Sequence, residues 1–327
     1  MIHHLYTKNK KRKMSEKINM GATFVGISEY TNENFALLAK AVYGAPTFAS
    51  GVRIIPGQPG NTIKLPLISS DVYFQDKGCT WTNSGNTNFT QQSVTVCHIE
   101  VKESLCPDDF MPYWLGQLNN QNGETPSTIP FAQTVTQEKI ASIAAEYEKL
   151  YWQGDIDGGT GNMVKCDGIY IKLSASTATY VAASSGATTA ANVIAKLTAM
   201  VQALDERIAQ KAGLCFYVPE SVYTAYILAI SALNHFNFYA QNTPAGVTIF
   251  EGFPNIEIRY TPGLRGTNYI ILCEKSNLVW VTNLVGEMGE LELLWDKEEK
   301  IIRFYAAAAI GAGIIQPELV VHNIPGI

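Results

Sequence analysis

Residues 146–169, EYEKLYWQGDIDGGTGNMVKCDGI, decide how this chain is read. A helical pattern stops at Gly154, a glycine-rich acidic turn follows, and a return strand is expected at Asp167-Gly168-Ile169. Glycine-rich acidic loops hold calcium or phosphate in many proteins, so both chemistries need testing. Against the twelve-residue calcium loop, Asp155, Asp157 and Gly159 take positions 1, 3 and 5. The obligatory glycine at position 6 is Thr160, and the bidentate glutamate at position 12 is Cys166. The template therefore fails where the ligand chemistry is strictest. A phosphate nest uses the positive N-terminal end of a helix, and this turn follows a helix. The turn reads as a helix exit.

Upstream, Ile140, Ile143, Ala144, Tyr147, Leu150 and Tyr151 recur at spacings of three and four. They predict a helix over 135–153 with one apolar stripe. Thr134 and Gln137 form a capping-box pattern at its start, and Gly154 closes it. Glu138, Lys139, Glu146, Glu148 and Lys149 are assigned to the solvated face.

Before that helix, Ile63, Leu65 and Leu67 alternate with polar or proline positions and predict a strand. The polar segment 71–92 is expected to be a long loop, and 93–104 (SVTVCHIEVKES) a second strand. A loop of that length with few apolar residues cannot build its own core. Trp81 and Phe89 within it point to packing on a partner. After the turn, a helix is expected over 190–211, a buried strand over 214–218, a helix over 222–233, and then strands. Among these, LELLWDKEEKIIRF reads as a hairpin with a charged turn at 296–300. The order of elements is α+β.

Of the 327 residues 46% are hydrophobic and only 16% charged, below the usual quarter or so, which fits a surface that faces other protein. Net charge is −5. Lys8, Lys10, Lys11, Arg12 and Lys13 form a basic run that reads as a solvated arm. Setting those five aside from the 24 basic residues leaves 19 against 29 acidic, so the body does not offer a strongly nucleic-acid-binding surface. No signal peptide is expected, and Met14 and Met20 are alternative starts. The longest apolar run, 305–315, is too short to span a bilayer. The six cysteines are scattered, and are expected to be reduced thiols of an intracellular protein. There is no P-loop, HExxH or GxSxG, and His98, His235 and His322 have no visible catalytic partner. No catalytic residue, cofactor or metal is expected.

LYWQGD, the glycine-rich excursion and KCDGIYIKL together resemble the spine-helix exit of HK97-fold major capsid proteins. LCFYVPESVYTAYI is similar to the strand and helix of that family's axial domain. TIFEGFPNIEIRY resembles the approach to the last axial strands, and KIIRFYAAAAIGAGIIQPELVVHN the closing peripheral strands. WQGD with the later DG resembles crAss-like phage capsid proteins in particular.

The resemblance implies an HK97-like capsid fold. It would divide into an N-terminal arm (1–50), an extended β-hairpin loop (E-loop) with the first peripheral strands (51–104) and a peripheral domain (105–165) with its spine helix at 135–153. An axial domain (166–285) and returning peripheral strands (286–327) would follow. It further implies the major capsid protein of a tailed double-stranded DNA phage, located in the virion and assembled in the host cytoplasm as hexamers and pentamers. Portal, a separate scaffolding protein and packaged DNA are the implied partners, with a decoration protein as a further candidate and no membrane. Arg53, Lys77, Trp81 and Phe89 are the expected inter-subunit contacts. An encapsulin-like shell holding cargo protein is the alternative; a soluble enzyme with a dispersed site is the third.

Overall fold

The computed structural model describes residues 51–56, 62–79, 84–106, 131–233, 246–282 and 291–324. Its strands are β1 (Arg53–Pro56), β2 (Thr62–Asp71), β3 (Asn86–Thr95), β4 (Cys97–Leu105), β5 (Thr179–Tyr180), β6 (Leu214–Val218), β7 (Val247–Phe250), β8 (Phe253–Tyr260), β9 (Ile271–Glu274), β10 (Leu278–Thr282), β11 (Leu291–Asp296), β12 (Ile301–Ile314) and β13 (Val321–His322). Its helices are α1 (Phe131–Gln153), α2 (Ile169–Ser174), α3 (Val193–Gln202) and α4 (Glu220–Ala232). The described residues form two compact units. The smaller takes 100–106, 131–137 and 291–306, and the larger takes the rest.

In the larger unit a six-stranded sheet runs in the order β5-β13-β9-β6-β8-β7. β6, LCFYV, is buried at all five positions, as a near-continuous apolar strand should be when both faces are covered. Leu197 and Met200 of α3, and Val222, Tyr226 and Ile230 of α4, pack with Leu214, Phe216, Ile256 and Ile258 of the sheet in one core. The helix expected over 190–211 ends at Gln202. The reason is Asp205, whose carboxylate accepts from the Arg207 backbone N–H at 2.8 Å and gives the chain a local alternative to the helix. Leu204 and Ile208 nevertheless stay in the core.

Also in the larger unit, β1 runs parallel to β10, and β10 pairs antiparallel with the last residues of β12, Leu278 opposite Ile314. In the smaller unit, β11 pairs with the start of β12, Asp296 opposite Ile301, as the hairpin reading expected. Asp296 accepts from the N–H groups of Glu298 and Glu299 across this turn, and Arg303 pairs with Asp296 and Glu299.

Helix α1 begins at Phe131, so the capping pattern at Thr134 and Gln137 lies inside the helix instead of at its start. The predicted stripe is buried at every position, from Ile140 to Tyr151, with Trp152 added. Glu148 does not belong to the solvated face: it is buried, and its Oε1 accepts from Gly263 N–H at 3.2 Å. Gln153 donates to the carbonyls of Gly263 and Arg265, so the helix grips the turn at 262–264 with two side chains. Gly263 has no room for a Cβ, which would sit 2.5 Å from Trp152 Cδ1. Glu148→Ala removes the acceptor and is expected to destabilise by about 1–3 kcal/mol, read as a lower urea midpoint.

The helix exit is a crossing of two glycines. Gly154 N–H bonds to Leu150 O at 2.9 Å, and Gly168 N–H to Gly154 O at 2.9 Å. The backbones approach so closely that a Cβ on Gly154 would lie 2.1 Å from Cys166 O. Asp155 Oδ1 accepts from the N–H groups of Asp157 and Gly158, and Asp167 Oδ1 from Ile156 N–H. The acids of this turn therefore serve its own backbone. The chain leaves the crossing as α2, not as the expected return strand.

Candidate assembly surface

β2 and β3 form a two-stranded antiparallel ribbon, in register from Thr62↔Thr95 to Asp71↔Asn86. Its base is docked. Ile63 and Leu65 of β2, with Val94 and Val96, pack against Val279, Val281 and Ala309. Gly311 and Gly313 of β12 make the space: a Cβ at Gly313 would come within 2.4 Å of Val94 Cγ2.

Beyond that base the ribbon buries nothing. Nine of the ten residues of β3 are exposed, and only Val94 is covered. This is why the polar run Asn86–Gln92, expected as loop, gave no strand signal: alternation appears only where one face is buried. The expected strand over 93–104 is likewise two strands, broken at Val96, with β3 pairing to β2 and β4 to β12. Polar side chains bridge the ribbon's outer half, as in Ser70 Oγ to Thr87 Oγ1 at 3.1 Å. Gly85, at φ +103°, starts the return strand. A Cβ there would meet Asp71 O at 2.5 Å.

Large apolar side chains stand out on this structure. Ile68 (62% exposed) lies opposite Phe89 (76%) in the register. Val72, Tyr73 and Phe74 follow at the end of β2, with Phe74 99% exposed. An isolated two-stranded hairpin is marginal in water, and a cluster of exposed aromatics on one marks a contact surface. Of the expected contact residues, Phe89 lies on this ribbon, and Lys77 is exposed in the segment leading from its outer end. Arg53 is exposed on β1, paired with Val279, so it belongs to the sheet under the base. Trp81 lies outside the described residues. Ile68, Val72, Tyr73 and Phe74 were missed; three consecutive apolar residues, VYF, inside a polar stretch were the available signal.

Cysteine chemistry departs from expectation. Cys97, at the start of β4, is disulfide-bonded to Cys166 in the turn after α1, with Cα atoms 5.7 Å apart. Sixty-nine residues separate the two in sequence, and nothing in their spacing announced the pairing. A cross-link closing a loop of that size is worth about 4 kcal/mol in the chain-entropy picture. Cys215 and Cys273 face each other across β6 and β9 as buried thiols. Burial pushes Cys215 up to about 12 and Cys273 well above its ordinary value, so neither is a nucleophile at neutral pH.

His235 lies outside the described residues, and His98 is exposed on β4. His322 is buried on β13, and its Nδ1 accepts from Ile324 N–H at 3.2 Å. Desolvation lowers it to about 4. The unfolded chain therefore binds this proton more readily between pH 6.5 and 4. The associated stability is full above pH 6.5 and falls as the pH drops towards 4, by up to about 3 kcal/mol. His322→Gln is expected to flatten that part of a urea-midpoint profile against pH. Among the described residues no three His, Cys, Asp or Glu side chains are grouped to hold a metal ion, and no helix is long and apolar enough to cross a membrane.

No family model and no curated protein matches the sequence. Solved structures do match. The structure of Gordonia phage Cozz aligns with a TM-score of 0.58 at 11% identity, over 84% of this chain and 84% of that one. The satellite phage P4 procapsid including its size determination protein aligns at 0.54 and 9% identity, over 88% and 89%. The capsid of cyanophage P-SCSP1u aligns at 0.53 and 10%, over 85% and 87%. The chain has the HK97-type capsid fold. These alignments span 84–88% of the chain. At identities this low, the fold is what the likeness shows.

Proposed function

We propose that this chain is a major capsid protein that self-assembles, as hexamers and pentamers, into the icosahedral head of a phage enclosing double-stranded DNA. One observation carries the reading: in a chain with the capsid fold, the outer half of the β2–β3 ribbon exposes Ile68 and Phe89, the segment after β2 exposes Val72, Tyr73 and Phe74, and the described residues leave them uncovered. A surface of that kind is complete only against another subunit, and repeated across closed symmetry it builds a shell. In this reading residues 51–104 are the E-loop with the first peripheral strands, 105–165 and 286–327 the peripheral domain, and 166–285 the axial domain. Arg53 and Lys77 contact neighbouring subunits beside Phe89. The work is assembly rather than catalysis.

The remaining partners belong to the same proposal: portal, a separate scaffolding protein, a decoration protein, and DNA touched non-specifically by the basic run at Lys8–Lys13. The narrower likeness to crAss-like phages rests on WQGD and the DG that follows it.

Negative-stain electron microscopy of the expressed chain, alone and with its neighbouring head genes, tests the reading. Uniform closed shells are the expected result, with the absorbance of nucleic acid in particles made by the native virus. A protein that stays monomeric under every co-expression overturns it. Shells filled with a protein cargo and free of DNA would give the encapsulin-like alternative.

A further inference from the structure

We propose that the Cys97–Cys166 bond is a redox-operated latch on the base of the ribbon, opened by a small-molecule thiol and closed by a small-molecule disulfide. The position of the bond carries the inference. Cys97 directly follows Val96, the last apolar residue of the docked base. Cys166 lies two residues before Gly168, within the glycine crossing at the end of α1. The bond thus fastens the ribbon's root to the most tightly packed turn of the same unit. With the bond open, the ribbon's own grip on that unit comes from the side chains of Ile63, Leu65, Val94 and Val96.

The two sulfurs are not equally accessible. Cys166 is 3% exposed, whereas Cys97 is only half-buried. Exchange is therefore ordered. In opening, a glutathione thiolate attacks Cys97 Sγ, the S–S bond breaks, and Cys166 leaves as a thiolate that takes a proton from water. A second glutathione thiolate then attacks the glutathione sulfur of this mixed disulfide, so that oxidised glutathione forms and Cys97 leaves as a thiolate that takes a proton from water. Closing reverses both steps: the two protein thiols give up two electrons and two protons, and oxidised glutathione becomes two glutathione thiols. The remaining cysteines do not compete within the fold. Cys215 and Cys273 are buried, and Cys79 and Cys106 are exposed and unpaired.

The test uses the full chain with Cys79→Ser and Cys106→Ser, equilibrated in glutathione buffers from fully reduced to fully oxidised. Acid quenching, alkylation and mass spectrometry count the thiols, and hydrogen exchange reads the amides of residues 94–99. The latch predicts a reversible two-thiol transition at Cys97 and Cys166. It also predicts exchange at the ribbon's base at least tenfold slower when oxidised, and a Tm about 5–10 °C higher. In oxidised glutathione, Cys166→Ser should hold one glutathione on Cys97, while Cys97→Ser should leave Cys166 unmodified. Equal exchange in the two states, two thiols that never pair, or glutathione on Cys166 in place of Cys97 would each overturn the proposal. Should the serine variants fail to fold, the redox titration with exchange on the unsubstituted pair decides alone. None of these readouts requires a shell, so the latch and the assembly function fail independently.

Discussion

Gly154→Ala yields no soluble folded chain. A Cβ at this position would lie 2.1 Å from Cys166 O and 2.6 Å from Leu150 O, and both are backbone atoms that no rotamer can move aside. Gly168→Ala meets Gly154 N, Tyr151 O and Leu150 O between 2.7 and 2.8 Å and has the same outcome. Relief requires separating the end of α1 from the returning chain. That breaks the Gly168–Gly154 hydrogen bond and exposes the neighbouring Tyr151 and Trp152, which are 1% and 0% exposed. The loss exceeds about 4 kcal/mol, a large part of the 5–15 kcal/mol by which domains are stable. Soluble yield and far-UV circular dichroism read the effect. Gly161→Asn is the control: it lies in the same turn at φ +59°, nothing stands within 4 Å of its Cβ position, and asparagine tolerates that backbone region. It should fold with a loss below about 1 kcal/mol. A soluble, cooperatively unfolding Gly154→Ala would refute the account of the crossing.

Ile68→Ser with Phe89→Ser produces the opposite pattern, a folded subunit that does not assemble. The two side chains are neighbours across the ribbon and lie beyond the docked base. Removing them leaves the core of Ile63, Leu65, Val94 and Val96 untouched. Few residues carry most of an interface's energy, and large buried aromatics are prominent among them. Each subunit loses such an anchor, so the assembled fraction should fall at least about a hundredfold under conditions that close shells of the unsubstituted protein. Sedimentation velocity measures that fraction, and an unchanged Tm shows the subunit is intact. Normal shells from the double variant would take the ribbon out of the assembly contacts.

The two results separate what could be read from sequence and what could not. The stripe of α1 was legible because one face is buried and the other wet, so the 3.6-residue period is printed in the residue types. The strand at 214–218 was legible as a continuous apolar run covered on both faces, and the hairpin at 291–306 by two apolar runs around a charged turn. The ribbon's outer half was not, since a strand with neither face covered has no pattern to show, whereas its docked base announced itself in the alternation of Ile63, Leu65 and Leu67. Arg53, Lys77 and Phe89 were picked from composition and position, and of these Phe89 lies in the exposed apolar cluster. Its cross-strand neighbour Ile68 became visible only once the register placed it. Glu148 read as solvated because its partner, Gly263, is 115 residues away. The helix at 190–211 looked continuous because its apolar spacing persists past Gln202, while the Asp205 turn interrupts the backbone. Reading the cysteines as reduced applied a rule about compartments, and the fold overrides it by bringing two distant sulfurs together. The capsid resemblance rested on the order of several weak motifs. The fold is shared at identities of 9–11%, where no family model matches the chain.

The docked base also sets a schedule for synthesis. Ile63, Leu65, Val94 and Val96 are made early, but their cover is Val279, Val281 and Ala309, with Gly311 and Gly313 beside it. Ribosomes add about 5–20 residues per second, so the base waits on the order of tens of seconds for strands encoded far downstream. The ribbon's pairing is local, but a two-stranded hairpin is marginal by itself, so a nascent chain carries an unsupported ribbon with a bare apolar root. Chains truncated before β12 are stranded in that state and should be found with chaperones or in inclusion bodies. Only a chain extended past β12 can cover the root, which makes synthesis of that strand a checkpoint on which subunits reach the folded pool.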